Sequence, residues 1–150
     1  NKLVNELNMT LPFNKKTMVT FLEEVFPQVN GKIKILQLSS EKAVVKFNTA
    51  ESDLRPGGTI SGPSMFLLAD VSFYIVVLAS IGREPLAVTT NCSINFMRKP
   101  NPEDLVATAR ILKHGSKLIV GDVLLKSDGG NDVVAHGSFT YSVPAKKPIL

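Results

Sequence analysis

The chain has 150 residues, 44% of them hydrophobic and 20% charged, the make-up of an ordinary globular protein and not of a disordered one. This length favours one domain and buries roughly 70% of the unfolded surface, enough for a real core. The net charge of +4 is scattered. Its densest groups, "RKP" (98–100) and "AKKP" (145–148), form no long basic run, and with no Trp and no basic–aromatic interleaving there is no base-stacking platform for nucleic acid.

Cys92 is the single cysteine, so no disulfide can form within the chain and no cysteine metal cluster exists. That usage fits a reducing, cytoplasmic setting. His114 and His136 lack metal-ligand spacing, and no metal site is expected. Cys92 sits in a strand-like run and reads as a small core hydrophobe. The start, "NKLVNELNMT", lacks the positive region and apolar run of a secretory signal.

In chain order, residues 15–29 place Met18, Phe21, Leu22, Val25 and Phe26 on one apolar face of a short helix, ended by Pro27. Runs 32–38 and 42–48 read as strands joined by the tight turn "SSE". Residues 49–62 are loop-like, rich in Pro and Gly.

A long helix follows. Pro63 suits its first turn, Ser61 or Gly62 suits its cap, and Gly82 suits its stop. It is apolar nearly all round, so it should be wrapped on all sides. Its apolar run, 65–81, sits at the lower limit for a membrane span. Asp70 inside it and amphipathic strands around it favour a buried helix and no membrane. Four strand-like runs come next, at 86–97, 104–114, 117–127 and 132–143, read as a four-strand meander with hairpins at "HGSK" and "SDGGND". The expected class is α+β: one domain over 1–150, a long antiparallel sheet curled about a central helix, with an N-terminal helical segment (1–30) and a short basic tail (145–150).

Asp70 is the anomaly. An ionised carboxylate buried without partners costs several kcal/mol or more. Either it is structural, tied to Arg55 or a backbone group, or it faces a wet site.

Taken together, "GGTISGPSMFLLAD", "LAVTTNCSINFMRKP", "ARILKHGSKLIVGDVLLKSDGG" and "VAHGSFTYSVP" resemble the hotdog fold, and more narrowly the PaaI-like acyl-CoA thioesterases, over residues 31–144. The resemblance implies hydrolysis of an acyl-CoA to free acid and CoA, with no cofactor besides the CoA of the substrate. It implies Asp70 as general base or nucleophile, a backbone oxyanion donor at Gly62, and Thr89 or its neighbour Thr90 holding the attacking water. It also implies a site shared between two subunits, hence a homodimer, with dimers pairing into a tetramer. Met65, Phe66, Phe73 and Tyr74 are candidates for the acyl slot, and Arg98, Lys99, Lys113 and Lys117 for the CoA phosphates. Two positions depart from the family pattern. Arg55 stands where Asn, Gln or His often polarises the thioester, and Ser61 stands where a His is usual. These departures keep a non-catalytic acyl-CoA or small-ligand binding protein open as the alternative. A hotdog dehydratase is a weaker third reading, because no His lies between residues 1 and 113 to serve as its acid or base.

Overall fold

The computed structural model describes residues 12–145. The first eleven residues of the expected N-terminal helical segment, and residues 146–150 of the basic tail, lie outside the described residues. Helix α1 spans Lys15–Val25 and is opened by a reciprocal cap between Asn14 and Thr17. It is shorter than the periodicity suggests. Pro27 cannot continue the hydrogen-bond ladder, and the chain passes into a 3-10 turn at Pro27–Val29. Met18 and Leu22 of α1 are buried in the core, and Phe21 packs against it partly exposed.

Strands β1 (Ile33–Leu38) and β2 (Lys42–Phe47) pair antiparallel. A 3-10 turn at Glu51–Asp53 leads to α2, Gly62–Ile81, which starts on the Ser61 cap and stops at Gly82, where φ is +94°. Only a residue without Cβ takes that conformation easily. Helix α2 is long and apolar enough to cross a membrane. Here ten of its residues are buried, and it packs chiefly against β4, β2 and β5.

Strands β3 (Val88–Phe96), β4 (Leu105–His114), β5 (Leu118–Ser127) and β6 (Val133–Ser142) complete one antiparallel sheet in the order β1-β2-β4-β5-β6-β3. This corrects the expected four-strand meander. Only β4, β5 and β6 run as one, and β3 pairs with β6 at the far edge. The "RKPNPE" connector fits the difference, because Asn101 is flanked by two prolines and no glycine follows it, unlike the Asn-Gly or Asp-Gly pair of a tight hairpin turn. It crosses the end of the sheet instead. There the Ile60 N–H donates to the Pro100 carbonyl, and Thr49 bonds to Glu103 and Asp104. Cys92 is corrected with it: on the edge strand it is exposed, not a core residue.

The inward face of the sheet carries Ala107 and Ala109 of β4, Ile119 and Val123 of β5, and Phe139 and Tyr141 of β6, all buried. Close packing of α2 depends on Gly121 in β5. A Cβ there would lie 2.4 Å from the Phe73 ring and 2.1 Å from the Arg110 carbonyl oxygen. Phe73 in turn stacks on Phe139 at 5.6 Å and meets Tyr141 edge-on at 5.2 Å.

One irregularity in β3 matters for the site. Thr89 pairs with Tyr141 and Asn91 with Thr140, so Thr90 is an extra residue in the ladder. Because of it, Thr89 and Phe96, seven positions apart, both oppose inward residues of β6, Tyr141 and Ala135.

Candidate active site

Asp70 lies two turns into α2 and is half-buried. Its Oδ1 accepts two hydrogen bonds, from Thr89 Oγ1 at 2.6 Å and from Tyr141 Oη at 2.8 Å. The Tyr141 hydroxyl also reaches the Asp70 carbonyl at 3.1 Å. None of the hydrogen bonds among the described residues is made to Oδ2. One carboxylate oxygen is thus held in place while the other is left for a proton or a water. Burial first, and then the Asp70 charge, push the Tyr141 phenol well above its ordinary range, so it stays a donor.

A cavity of about 220 Å³ opens beside this carboxylate. Its walls include Val25 and Phe26 from the end of α1, Tyr74 from the next turn of α2, and Pro85 from the loop before β3. Tyr74 is fixed by a 2.9 Å hydrogen bond from its hydroxyl to the Pro85 carbonyl, and burial raises its pKa.

The start of α2 forms a second place of interest. Ser61 caps the helix by accepting the Ser64 N–H. Ser61 Oγ donates to Ser64 Oγ, which donates to Asp53 Oδ1 at 2.8 Å. Asp53 is buried, its Oδ2 accepts the Ala50 N–H, and its backbone carbonyl accepts the Ser61 N–H. This relay pins the first turn. The Gly62 N–H takes no partner among the described residues and opens on a cavity of about 440 Å³. Arg55, Met65, Phe96, Arg98 and Lys99 border the same cavity. A free N–H at the positive end of a helix suits an oxyanion or a phosphate.

The remaining candidates fall in different places. Thr90, the bulge residue, donates to the Thr140 carbonyl and not to Asp70. No ion pair among the described residues joins Arg55 to Asp70. Phe73 is fully buried in the core, and Phe66 is partly exposed beside Phe139; neither lines these two cavities. Arg98 sits 3.8 Å from Asp132 with both side chains largely exposed. Lys113 and Lys117 bracket the β4–β5 turn and border neither cavity. No group of His, Cys, Asp and Glu among the described residues could hold a metal ion.

Sequence reasoning missed Tyr141 and Asp53. Tyr141 had a signal: it continues the inward alternation of Ala135, Gly137 and Phe139, and an inward tyrosine needs a partner for its hydroxyl. On the outer face of the sheet, Asp122 is another buried carboxylate. Arg110 grips it with two bonds, at 2.7 and 3.1 Å, and His136 Nε2 lies 2.9 Å away. Burial opposes its ionisation, but those two partners outweigh burial and hold the carboxyl below its ordinary range.

Comparison with known proteins adds to this geometry. The human protein named acyl-coenzyme A thioesterase 13 is 27% identical over 116 residues, 77% of this chain and 82% of its own. The crystal structure of a candidate thioesterase from Silicibacter sp. TM1040 superposes with a TM-score of 0.83 at 52% identity, covering 92% of this chain and 96% of that one. The E. coli PaaI protein of the phenylacetic acid degradation operon shares the fold, with a TM-score of 0.70 at 23% identity, covering 85% and 95%. A helix apolar all round inside a six-stranded antiparallel wrap is the hotdog arrangement, and the family model described as the thioesterase superfamily matches residues 57–134, from the loop before α2 to the start of β6. The chain belongs to the thioesterase superfamily.

Proposed function

We propose that the protein hydrolyses an acyl-CoA thioester by Asp70-assisted attack of water, with the Gly62 N–H as oxyanion donor, at a site completed by a second copy of the chain. The observation that carries this reading is the separation of the two halves. Gly62 and Asp70 are eight residues apart on one helix, a rise of about 12 Å. A single carbonyl cannot touch both groups at about 3 Å. The two groups also open on different cavities.

Strand β3 offers the means of joining them. It is an edge strand, with one side unpaired in the protomer. Val88 and Thr89 at its start border the Asp70 cavity, and Phe96 at its end borders the Gly62 cavity. Val88, Phe96 and Met97 are large apolar side chains more than half exposed. Antiparallel pairing of β3 with its own copy sets the start of one strand against the end of the other. The Asp70 cavity of one protomer would then meet the Gly62 cavity of its partner.

In this arrangement Thr89 and Tyr141 hold Asp70 Oδ1, and Oδ2 takes the proton from water as it attacks the thioester carbon. Oxygen charge develops against the Gly62 N–H, at the dipole end that favours it. The C–S bond then breaks, the proton held at Oδ2 passes to the sulfur, and CoA leaves as thiol with the carboxylate regenerated. Arg55, Arg98 and Lys99 beside Gly62 suit the CoA phosphates. The human relative's name, an acyl-coenzyme A thioesterase, supports this substrate class.

Thiol release from acetyl-, phenylacetyl- and hexadecanoyl-CoA tests the reading. The wild-type chain is expected to release CoA from at least one of them, and Asp70→Asn to lose about a hundredfold or more in kcat while still folding. Tight acyl-CoA binding without release would overturn hydrolysis in favour of a binding protein.

A further inference from the structure

Asp53 is a buried acid to which the hydrolytic reading gives no task. Resting on that reading, we propose that Asp53 is the positioning residue of the oxyanion donor: through Ser64 and Ser61 it fixes the first turn of α2 and keeps the Gly62 N–H open to the substrate.

A tight turn brings Asp53 to the helix start. Gly57 and Gly58 take positive φ, +98° and +82°, which the reversal of the chain at Pro56 requires. The Gly58 N–H donates to the Arg55 carbonyl at 3.0 Å, and the Arg55 N–H donates to the Thr59 carbonyl at 2.8 Å. Leu54 and Ile60 then bridge, so Asp53 and Ser61 lie side by side, and the Ser61 N–H donates to the Asp53 carbonyl at 2.8 Å. From the other side the Ala50 N–H donates to Asp53 Oδ2 at 2.8 Å. The acid is thus held by backbone on both sides before its side chain reaches the helix.

The donors of the first turn can then be accounted for one by one. Pro63 has no N–H. The Met65 N–H donates to the Ser61 carbonyl at 3.1 Å, and the Ser64 N–H donates to Ser61 Oγ at 3.3 Å. The Gly62 N–H is left as the one open donor of the turn among the described residues. Asp53 sets the direction of the hydroxyls that produce this result. Its Oδ1 accepts the Ser64 hydroxyl at 2.8 Å, and Ser64 Oγ accepts the Ser61 hydroxyl at 3.1 Å. Ser61 Oγ, its proton committed, stands as an acceptor for the Ser64 N–H. A serine cap starts a helix without such help, and burying a carboxyl group for the cap alone would cost stability. An oxyanion site does need a donor fixed in advance, because one that moves during the reaction stabilises less of the developing charge. Asparagine at position 53 would turn its amide nitrogen toward either the Ala50 N–H or Ser64 Oγ, losing the first bond or reversing the second.

The test is thiol release by Ser64→Ala, Ser64→Thr and Asp53→Asn, each made alone and on Gly62→Pro. Ser64→Ala breaks the relay but keeps the Ser64 N–H, and its half-buried position carries the test even if Asp53→Asn fails to fold. Alone, Ser64→Ala and Asp53→Asn should lower kcat about tenfold with KM within about twofold of wild type, and Ser64→Thr should retain most of the activity. On Gly62→Pro, where no N–H is left to position, neither should lower kcat further. Equal losses on both backgrounds, or full activity in Ser64→Ala, would overturn the positioning role. Infrared spectra of carbonyl-labelled acetyl-, phenylacetyl- and hexadecanoyl-CoA bound to Asp70→Asn give a readout without turnover. The bound carbonyl band should lie below that of the free thioester, and adding Ser64→Ala should move it back. A band that stays in place rejects the proposal. If the wild-type chain releases no CoA, hydrolysis fails separately and the infrared band alone decides; a chain that binds none of the three overturns both.

Discussion

Tyr141 and Asp70 are 71 positions apart in the chain, yet the phenol oxygen of one lies 2.8 Å from Oδ1 of the other. The bond links the last strand to the middle of the central helix and, with Thr89, occupies Oδ1, leaving Oδ2 as the oxygen proposed to take the proton from water. Tyr141→Phe should keep the ring packing and lose the donor. About a tenfold fall in kcat with little change in KM is expected in steady-state assays, since a bond to a charged group is worth about 1.5–3 kcal/mol. The same variant should change the alkaline limb of stability. The folded pKa of Tyr141 is raised above the unfolded value of 10.0, so its contribution is present below pH 10 and is lost as pH rises beyond it. Denaturant melts from pH 8 to 11 should fall less steeply for Tyr141→Phe than for wild type.

Thr89 supplies the other bond to Oδ1. Thr89→Val preserves shape and β-branching but removes the hydroxyl, and about a tenfold loss of kcat is expected. Thr89→Ser should recover most of it. Equal activity in all three proteins would show that the bond only fills space.

Gly62→Pro removes the free N–H at a helix position where proline is tolerated. Thermal stability should change little, because the Gly62 N–H has no partner among the described residues. The value of kcat should fall by about a hundredfold to a thousandfold. Mixing this variant with Asp70→Asn after joint refolding separates a shared site from one contained in a protomer. Half of the resulting dimers are mixed, and each holds one intact site of two, so about a quarter of wild-type activity should return. No recovery would place both groups in one chain's site.

Asp122 should contribute to the acid limb of stability. Its folded pKa lies below the ordinary 3.8, so its contribution is present above that value and is lost as the pH falls through the folded pKa. Urea unfolding between pH 6 and 2.5 should show stability falling below about pH 4 in wild type. Asp122→Asn should be less stable at pH 6, because Arg110 and His136 lose a charged partner, and should show a shallower acid fall.

Much of this was legible in the sequence because it rests on local rules. The long helix follows from Pro63, Gly82 and an unbroken apolar run, and Asp70 is conspicuous because a charge does not belong there. Strand lengths and hairpins follow from alternation and glycine placement. Strand order does not. Whether β3 pairs with β4 or with β6 depends on partners as far apart as Val88 and Ser142, and the prolines between β3 and β4 were the one local hint. Cys92 was misread for the same reason, since burial of a strand residue depends on which neighbours flank the strand. Tyr141 and Asp53 were hidden by distance: each acts by bonding to residues on a different element, and spacing within a segment cannot reveal that.

The extra residue at Thr90 has a consequence for the evolution of this chain. In a regular strand, side chains seven positions apart point to opposite faces. Deleting residue 90 would leave both flanking segments intact and every neighbouring side chain unaltered. It would still rotate one end of the strand half a turn against the other, sending Thr89 away from the carboxylate or Phe96 away from the helix start. A single-codon deletion here should therefore be more damaging than most substitutions in the strand, because it breaks the odd–even count by which one ribbon serves two ends of a site.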